Sequence, residues 1–364
     1  MTPSSTPLDR VAGAYDAAVL AEARRGEPVS RSELAAALDV TPQAVSKILA
    51  RLVERGLMAD AGSIVTGPGK PTSLYRIVPT SRRAIGVHVS LQGLRAAVVD
   101  LTGEIIARHE APLDPSDGVD ALVEAIRQAV GALSARGEGE LQGVGVAMPG
   151  PVDWDTGIFR GATDEDPWQG APLRDLLTET LGTGVVVDND SNAAAVGETW
   201  SEPSLQNDAA VIVVEDGIGA GLRLNGNLVR GAHSRGGEVG HTVVRLDGVP
   251  CVCGRHGCAQ AEYLAALAAG EPEAAARVLS SVVVDLVRMV DVDRIVLGGR
   301  RIYEHHAASM DAVRTALRTE LGSGPWMHVE VLLSTRGVDL VSVGAACAVL
   351  EEAYGMSRRT VGPA

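Results

Sequence analysis

The sequence predicts an α/β protein in two parts, a small winged helix-turn-helix followed by a larger body of alternating strands and helices. Three observations carry this. Two short capped helices and a Gly/Pro-tipped hairpin pattern fill the first eighty residues. Beyond them, apolar runs of strand length alternate with amphipathic helices. A chain of 364 residues with 46% hydrophobic content is also too long for one small domain.

Residues 1–10, rich in Ser, Thr and Pro, read as a loose tail. From residue 11 to about 25, Ala14, Ala18, Leu20 and Ala21 lay an apolar stripe on one helix, which Gly26 ends. Ser30 with Glu33 three residues on is a capping-box pair that opens a helix through residue 38, followed by a turn at Asp39-Val40. Thr41 caps the next helix, Pro42 takes its first position, and Gly56 closes it after Arg55. Val45, Ile48, Leu49 and Leu52 recur at helical spacing and face inward. Thr41, Gln43, Ser46 and Lys47 are left outward near the N-terminus, where a recognition helix meets base edges. Arg51 and Arg55 lie further along, suited to phosphates. The stretch from Leu57-Met58 through a Gly/Pro tip to residues 74–77 reads as a two-stranded wing with Lys70 near its tip. A helical protein-interaction module shares the helix pattern; the wing favours double-stranded DNA as the partner.

Residues 78–83 read as a short linker, giving a DNA-binding domain over 1–80 and a second domain over 81–364. Strands are expected at 85–89, 95–100 and 104–109, with a turn at Thr102-Gly103, then an amphipathic helix over 119–135 and a buried strand over 143–147. Cys347, alone on an apolar final helix over 341–354, reads as core.

Charge supports the division. The chain carries -14 overall, which disfavours nucleic acid, yet residues 1–80 hold nine Lys/Arg against eight Asp/Glu, leaving 23 against 38 in the remainder. Phosphate contact therefore belongs to the N-terminal part. No run approaches the roughly 18 apolar residues of a membrane span. The Ala-rich opening carries Asp16 and Glu22, unlike a signal-peptide apolar region, so a cytoplasmic protein is expected.

Three of the four cysteines cluster as Cys251, Cys253 and Cys258, a C-x-C-x4-C spacing, with His241 ten residues upstream at the end of an expected strand. Three thiolates and one imidazole match the closed tetrahedral site of structural zinc. Gly254 and Gly257 let the loop bring the sulfurs together. A disulfide or buried thiols are the alternatives; the expected compartment and the polar, Gly-rich context argue against each. His256 competes with His241 as the fourth ligand.

The run Gly237-Glu238-Val239-Gly240-His241 followed by Cys251-Val252-Cys253-Gly254-Arg255-His256-Gly257-Cys258 resembles the signature of the ROK family of repressors, open reading frames and sugar kinases. The resemblance covers about residues 84–355 and implies an actin-like, ribonuclease-H-like fold, with lobe 1 over 84–193 plus 338–364 and lobe 2 over 194–337. It favours His241 as ligand and implies that His241 and Glu238 also meet sugar hydroxyls. Asn189 and Asp190 match the family segment in which aspartate is the base and asparagine binds a hydroxyl. The bland reading of that segment, a helix N-cap, holds beside it. Gln260 stands where the family has a sugar-binding glutamate, and the family's asparagine loop is altered within Thr163-Asp164-Glu165-Asp166-Pro167-Trp168.

The kinases of that family carry G-x-D-x-G-G-T on the opening hairpin to hold magnesium and ATP phosphates. Here it reads Gly86-Val87-His88-Val89-Ser90-Leu91-Gln92, without the carboxylate or the paired glycines. Such losses remove transition-state stabilisation. Gly217-Ile218-Gly219-Ala220-Gly221 and Gly298-Gly299 persist on the nucleotide side, but glycine is also kept wherever backbone bends. The expectation is a non-enzymatic repressor, a homodimer or tetramer with Asp190 as a vestigial base, responding to a sugar or sugar-phosphate effector. An active sugar kinase with a DNA-binding head and an effector-independent regulator are the alternatives.

Overall fold

The computed structural model describes residues 7–24, 26–65, 71–161, 166–202, 205, 208–322, 324 and 328–355. Its head comprises α1 (Pro7–Ala23), β1 (Val29–Ser30), α2 (Arg31–Ala37), α3 (Pro42–Glu54), β2 (Met58–Ile64) and β3 (Thr72–Ile77). Helix α1 starts at Pro7, inside the stretch expected to be tail; proline is tolerated in a first helical turn, where its missing N–H has no helical partner.

The capping box forms in both directions. Ser30 Oγ accepts the Glu33 amide at 3.2 Å while the Ser30 amide donates to Glu33 Oε2 at 2.7 Å. Thr41 Oγ1 accepts the Ala44 amide at 3.3 Å, so α3 begins where its sequence dictates. Val45, Ile48, Leu49 and Leu52 are buried with Leu20, Leu34 and Leu57. The three strands pair antiparallel in the order β1-β3-β2. The tip residue Lys70 lies outside the described residues.

The segment expected as a linker is instead a packed joint. A 3-10 turn over Pro79–Ser81 leads straight into β4 (Arg82–Ser90); the Val78 amide donates to Leu57 O at 2.9 Å and the Leu101 amide to Pro79 O at 3.1 Å. Lobe 1 continues with β5 (Gly93–Asp100), β6 (Ile105–Ala111), α4 (Val119–Leu133), β7 (Glu140–Met148), the small pair β8 (Val152–Asp153) and β9 (Ile158–Phe159), α5 (Leu173–Leu181) and β10 (Val185–Asn189). Helix α6 (Asp190–Ser201) then crosses to lobe 2: β11 (Ala209–Val214), β12 (Ile218–Leu224), β13 (Asn227–Leu228), α7 (Ala259–Ala268), α8 (Pro272–Val290), β14 (Arg294–Gly298), α9 (Arg300–Glu304), α10 (His306–Leu321) and β15 (Glu330–Leu333). The final helix α11 (Leu340–Tyr354) returns to lobe 1.

The two sheets repeat one plan. Lobe 1 runs β6-β5-β4-β7-β10 and lobe 2 runs β13-β12-β11-β14-β15, each with an antiparallel meander of three strands followed by two parallel ones. That duplication is the ribonuclease-H-like pair of an actin-like fold. The expected lobe boundary at Ala194 falls inside α6, and the second sheet starts at Ala209.

Helices α6 and α11 pack backbone to backbone. A Cβ on Gly197 would sit 2.8 Å from Gly344 Cα, and one on Gly344 would sit 2.0 Å from Ala193 O. The same helix fixes Gly86 and Gly145 on the sheet, where a Cβ would meet Ser342 O at 1.9 Å and Ala345 O at 1.8 Å. Cys347 is fully buried in this seam.

Candidate functional site

The four expected metal ligands converge. His241 lies on a 3-10 turn over Val239–His241 rather than at the end of a strand, a correction that follows from the tight Gly237 and Gly240 backbone packed on β12. Its Nδ1 is 3.5 Å from Cys251 Sγ, Cys253 Sγ is 3.6 Å from Cys258 Sγ, and all four donor atoms lie within 4.8 Å of one another. A tetrahedron with metal–sulfur bonds of about 2.3 Å and a metal–nitrogen bond of about 2.0 Å has edges of about 3.5–3.8 Å, so the donor set fits a divalent ion. His256 is exposed and outside the group. Burial and the two neighbouring sulfurs push the Cys258 thiol up to about 12, a cost that a bound cation reverses by favouring thiolate.

The residues expected from the sequence to bind a ligand lie as follows. Its Nε2 faces Glu238 Oε2 at 3.8 Å, leaving Nδ1 for the metal. Gln260, on α7, offers Nε2 to Cys251 Sγ at 3.8 Å and holds Oε1 against Gly217 and Gly240, where a Cβ would meet it at 3.0 and 2.9 Å. Asn189 caps α6, with Oδ1 accepting the Ser191 amide at 2.9 Å and Nδ2 donating to Gly150 O at 3.2 Å. Asp190 follows it. Burial, with Glu238 and Glu215 nearby, pushes its carboxyl up to about 7, against hydrogen bonds from the Ser191 hydroxyl and amide. Glu238 thus lies beside His241, Gln260 against the Gly217 and Gly240 backbone, and Asp190 Oδ1 3.9 Å from where a Cβ on neighbouring Gly219 would sit. Thr163, Asp164 and Glu165 lie outside the described residues; Trp168 is buried with its indole N–H on Asp117 O at 2.9 Å.

The opening hairpin is bonded to lobe 2. His88 is buried, its Nε2 has no hydrogen-bond partner, and burial with Arg95 nearby lowers it to about 3, so it is neutral. Asp216 Oδ2 accepts the Leu91 amide at 2.8 Å and Oδ1 accepts Gln92 Nε2 at 3.3 Å, joining lobe 2 to the lobe 1 turn. Glu215 Oε1 accepts the Arg300 amide at 2.9 Å at the start of α9. The retained glycines serve packing. A Cβ on Gly219 would meet Ser191 Oγ at 2.0 Å, one on Gly221 Ser191 O at 2.1 Å, and Gly299 adopts φ +95 against Val214. Neither Asp216 nor Glu215 was singled out from the sequence. The signal was present: an acidic pair directly before a glycine turn is a poor neighbour for phosphate. Arg230 was also missed. It pairs with buried Asp188 at 2.7 Å and lies 3.5 Å over Trp154, a second tie between the lobes.

In the head, the N-cap Thr41 and, on α3, Gln43 and Lys47 are exposed, and Ser46, half-buried, donates to Pro42 O at 2.9 Å. Arg51 and Arg55 are shared with the protein: both pair with Asp16 on α1, at 2.5 and 3.2 Å, while remaining about half exposed. Among the described residues no helix is long and apolar enough to cross a membrane.

This arrangement is a winged helix joined to a duplicated ribonuclease-H-like body that carries a His/Cys3 cluster. Residues 84–271 match the ROK family and residues 14–59 match the MarR family. The chain belongs to the ROK family, with a MarR-type winged helix at its head. It is 34% identical over 184 residues to a glucokinase of Halalkalibacterium halodurans, a match covering 49% of this chain and 56% of that protein. It is 27% identical over 273 residues to a xylose repressor of Caldicellulosiruptor bescii, covering 74% and 65%. The match therefore spans less than two thirds of the length of each. A solved ROK family transcriptional regulator, a homolog of the Escherichia coli MLC protein, superposes with TM-score 0.72 at 18% identity over 95% of this chain and 98% of its own, which shows the shared fold.

Proposed function

We propose that the chain is a cytoplasmic transcriptional repressor that binds operator DNA as a homo-oligomer through α3 and its wing, and responds to a sugar or sugar derivative in the interlobe cleft. The observation that carries this is the pairing of an exposed Thr41, Gln43 and Lys47 face with polar groups at Asn189, Asp190, Glu238, His241 and Gln260, while Asp216 accepts the Leu91 amide of the opening hairpin. Neutral, buried His88 offers no charge for magnesium, so the reading gives the body a sensing role without phosphoryl transfer. Two-fold pairing of heads on a palindrome multiplies the few contacts one small head can make. A ligand shifts the equilibrium only by favouring one arrangement of the lobes over another.

Purified protein should retain selected DNA fragments in a salt-sensitive, sequence-selective way, and Lys47→Ala with Gln43→Ala should weaken retention at least tenfold. Binding that ignores both substitutions would sink the assignment of α3. The cluster His241, Cys251, Cys253 and Cys258 is proposed to hold one structural zinc that braces the cleft wall. Mass-spectrometric metal counting should find one zinc per chain, lost together with thermal stability in Cys253→Ser; metal-free native protein would refute it.

Asp190 supports a second reading, an active sugar kinase carrying a DNA head, because a carboxyl near 7 is suited to accept a hydroxyl proton. ATP-dependent phosphorylation of glucose, xylose or N-acetylglucosamine that disappears in Asp190→Asn would establish it over the sensor.

A further inference from the structure

The cleft and the DNA-binding head lie at opposite ends of one helix. Asn189 caps α6 and Asp190 is its first residue, so the candidate ligand groups sit at its N-terminal end. Twelve residues make a rod of about 18 Å. Near the other end, Trp200 is buried and donates its indole N–H to Leu101 O at 3.2 Å. Over the face of that indole, 3.5 Å from the ring centroid, lies the guanidinium of Arg24 from the end of α1 in the head.

The joint is unusual in what it lacks. Among the described residues, Arg24 Nε and Nη1 are buried without a hydrogen-bond partner; the guanidinium is seated on the ring, with the charge of Glu351 also acting on it. A cation seated on a ring keeps that attraction only while the ring stays beneath it.

Both sides of the joint are stiff. On the body side, α6 and α11 meet through Gly197 and Gly344 with no compliant side-chain layer between them. Helix α11 ends in Tyr354, which accepts from Arg82 Nε at 3.0 Å, donates to Gln142 Oε1 at 2.7 Å and lies 5.7 Å under the Arg55 guanidinium. On the head side, Asp16 ties α1 to Arg51 and Arg55 at the C-terminal end of α3. Two arginine–aromatic seats, Arg24 on Trp200 of α6 and Arg55 on Tyr354 of α11, and the Asp16 carboxylate thus connect these helices to α3.

We propose that α6 transmits ligand occupancy from Asn189 and Asp190 to the head, and that Arg24, seated on Trp200, is the positioning residue through which the head reads it. This rests on the reading of the chain as a ligand-responsive DNA binder. It adds the route and the residue. Contiguity alone does not establish coupling; a change in coupling upon breaking the joint does.

The test uses the full chain, a DNA fragment that the wild-type protein selects from a random-sequence library, and D-xylose, D-glucose and N-acetylglucosamine as probes. Fluorescence anisotropy gives the Kd for DNA with and without each sugar, and calorimetry gives the sugar affinity. Arg24→Met should keep the sugar affinity within about threefold and still bind DNA, while the sugar-dependent ratio of DNA Kd values falls from tenfold or more toward one. Arg24→Lys, which keeps the cation, should retain part of that ratio, and Trp200→Phe, which keeps a ring, should do the same. A merely structural joint would lower thermal stability in all three variants and leave the ratio unchanged, and that outcome overturns the proposal. A wild-type chain that binds DNA but no probe sugar, or whose DNA affinity no sugar alters, sinks the sensor reading and the relay together. Full sugar dependence in Arg24→Met sinks the relay alone.

Discussion

At the scale of single residues, Asp190 shows how the cleft trades stability for a poised group. Its carboxyl is raised from its ordinary value to about 7, chiefly by burial. In the unfolded chain the group ionises near 3.8, so between that pH and about 7 the folded state holds a proton that the unfolded state has released. Its contribution to stability is present below 3.8 and is lost as pH rises through 7. Asp190→Asn should therefore melt higher than the wild type, by a margin that grows from pH 4 to pH 7 and then levels, at no more than about 1.4 kcal/mol per pH unit. Calorimetric melts at pH 4, 5.5, 7 and 8 check this. A constant or shrinking margin would show the carboxyl is not held in that environment. His88 has the opposite sign: lowered to about 3, it is a neutral base whose benefit is full above 6.5 and declines on acidification, so the two groups must be separated by variants. The clustering of His241, Cys251, Cys253 and Cys258 was legible because cysteine spacing is chemical, whereas Asp190 was reached only through the family resemblance. Asp216 was not legible, because its role depends on Leu91, 125 residues away in sequence.

Elements were legible wherever a local device fixes them. Ser30 with Glu33 and Thr41 with Pro42 set two helix starts that the structure reproduces, and Gly56 at φ +69 closes α3 as expected. Where packing decides, local reading fell short. Residues 78–83 look like a linker by composition, yet Arg82 reaches Tyr354 across the molecule, and His241 sits on a 3-10 turn because Gly240 must approach Ile218 O. Gly197 on α6, which packs on Gly344 of α11, was not legible, since nothing nearby in sequence demands it. The close helix pair makes a sharp forecast. Gly197→Ala adds a methyl 2.8 Å from Gly344 Cα, and neither backbone can yield without moving a sheet. The helix-propensity gain of up to about 1 kcal/mol should be outweighed by overpacking of about 1–3 kcal/mol. Urea denaturation should show a lower midpoint than wild type. An equal or higher midpoint would mean that the two helices can separate freely.

For the whole molecule, the question is what holds two lobes together in a body that, on the reading above, does not close around nucleotide. In this structure the tie across the nucleotide side is internal. Asp216, only 12% exposed, takes the Leu91 amide and the Gln92 side chain, and Arg300 stands 4.0 Å away on the other side. A carboxylate accepting a backbone amide is a stronger tie than its neutral isostere, since charge-assisted hydrogen bonds are roughly twice as strong. Asp216→Asn keeps the shape and removes the charge, so it should loosen the turn without unfolding either lobe. Hydrogen exchange should register this as faster exchange at residues 90–93, with the buried amides of β11 and β14 unchanged. The same variant should leave nucleotide binding negligible by calorimetry with magnesium and a non-hydrolysable ATP analogue, because neutral His88 and the side chain of Leu91 still occupy the turn. Two results would contradict this account: unchanged exchange at the turn would show that Asp216 does not tie the lobes, and micromolar nucleotide binding would show that one carboxylate, and not the whole hairpin, had closed the site.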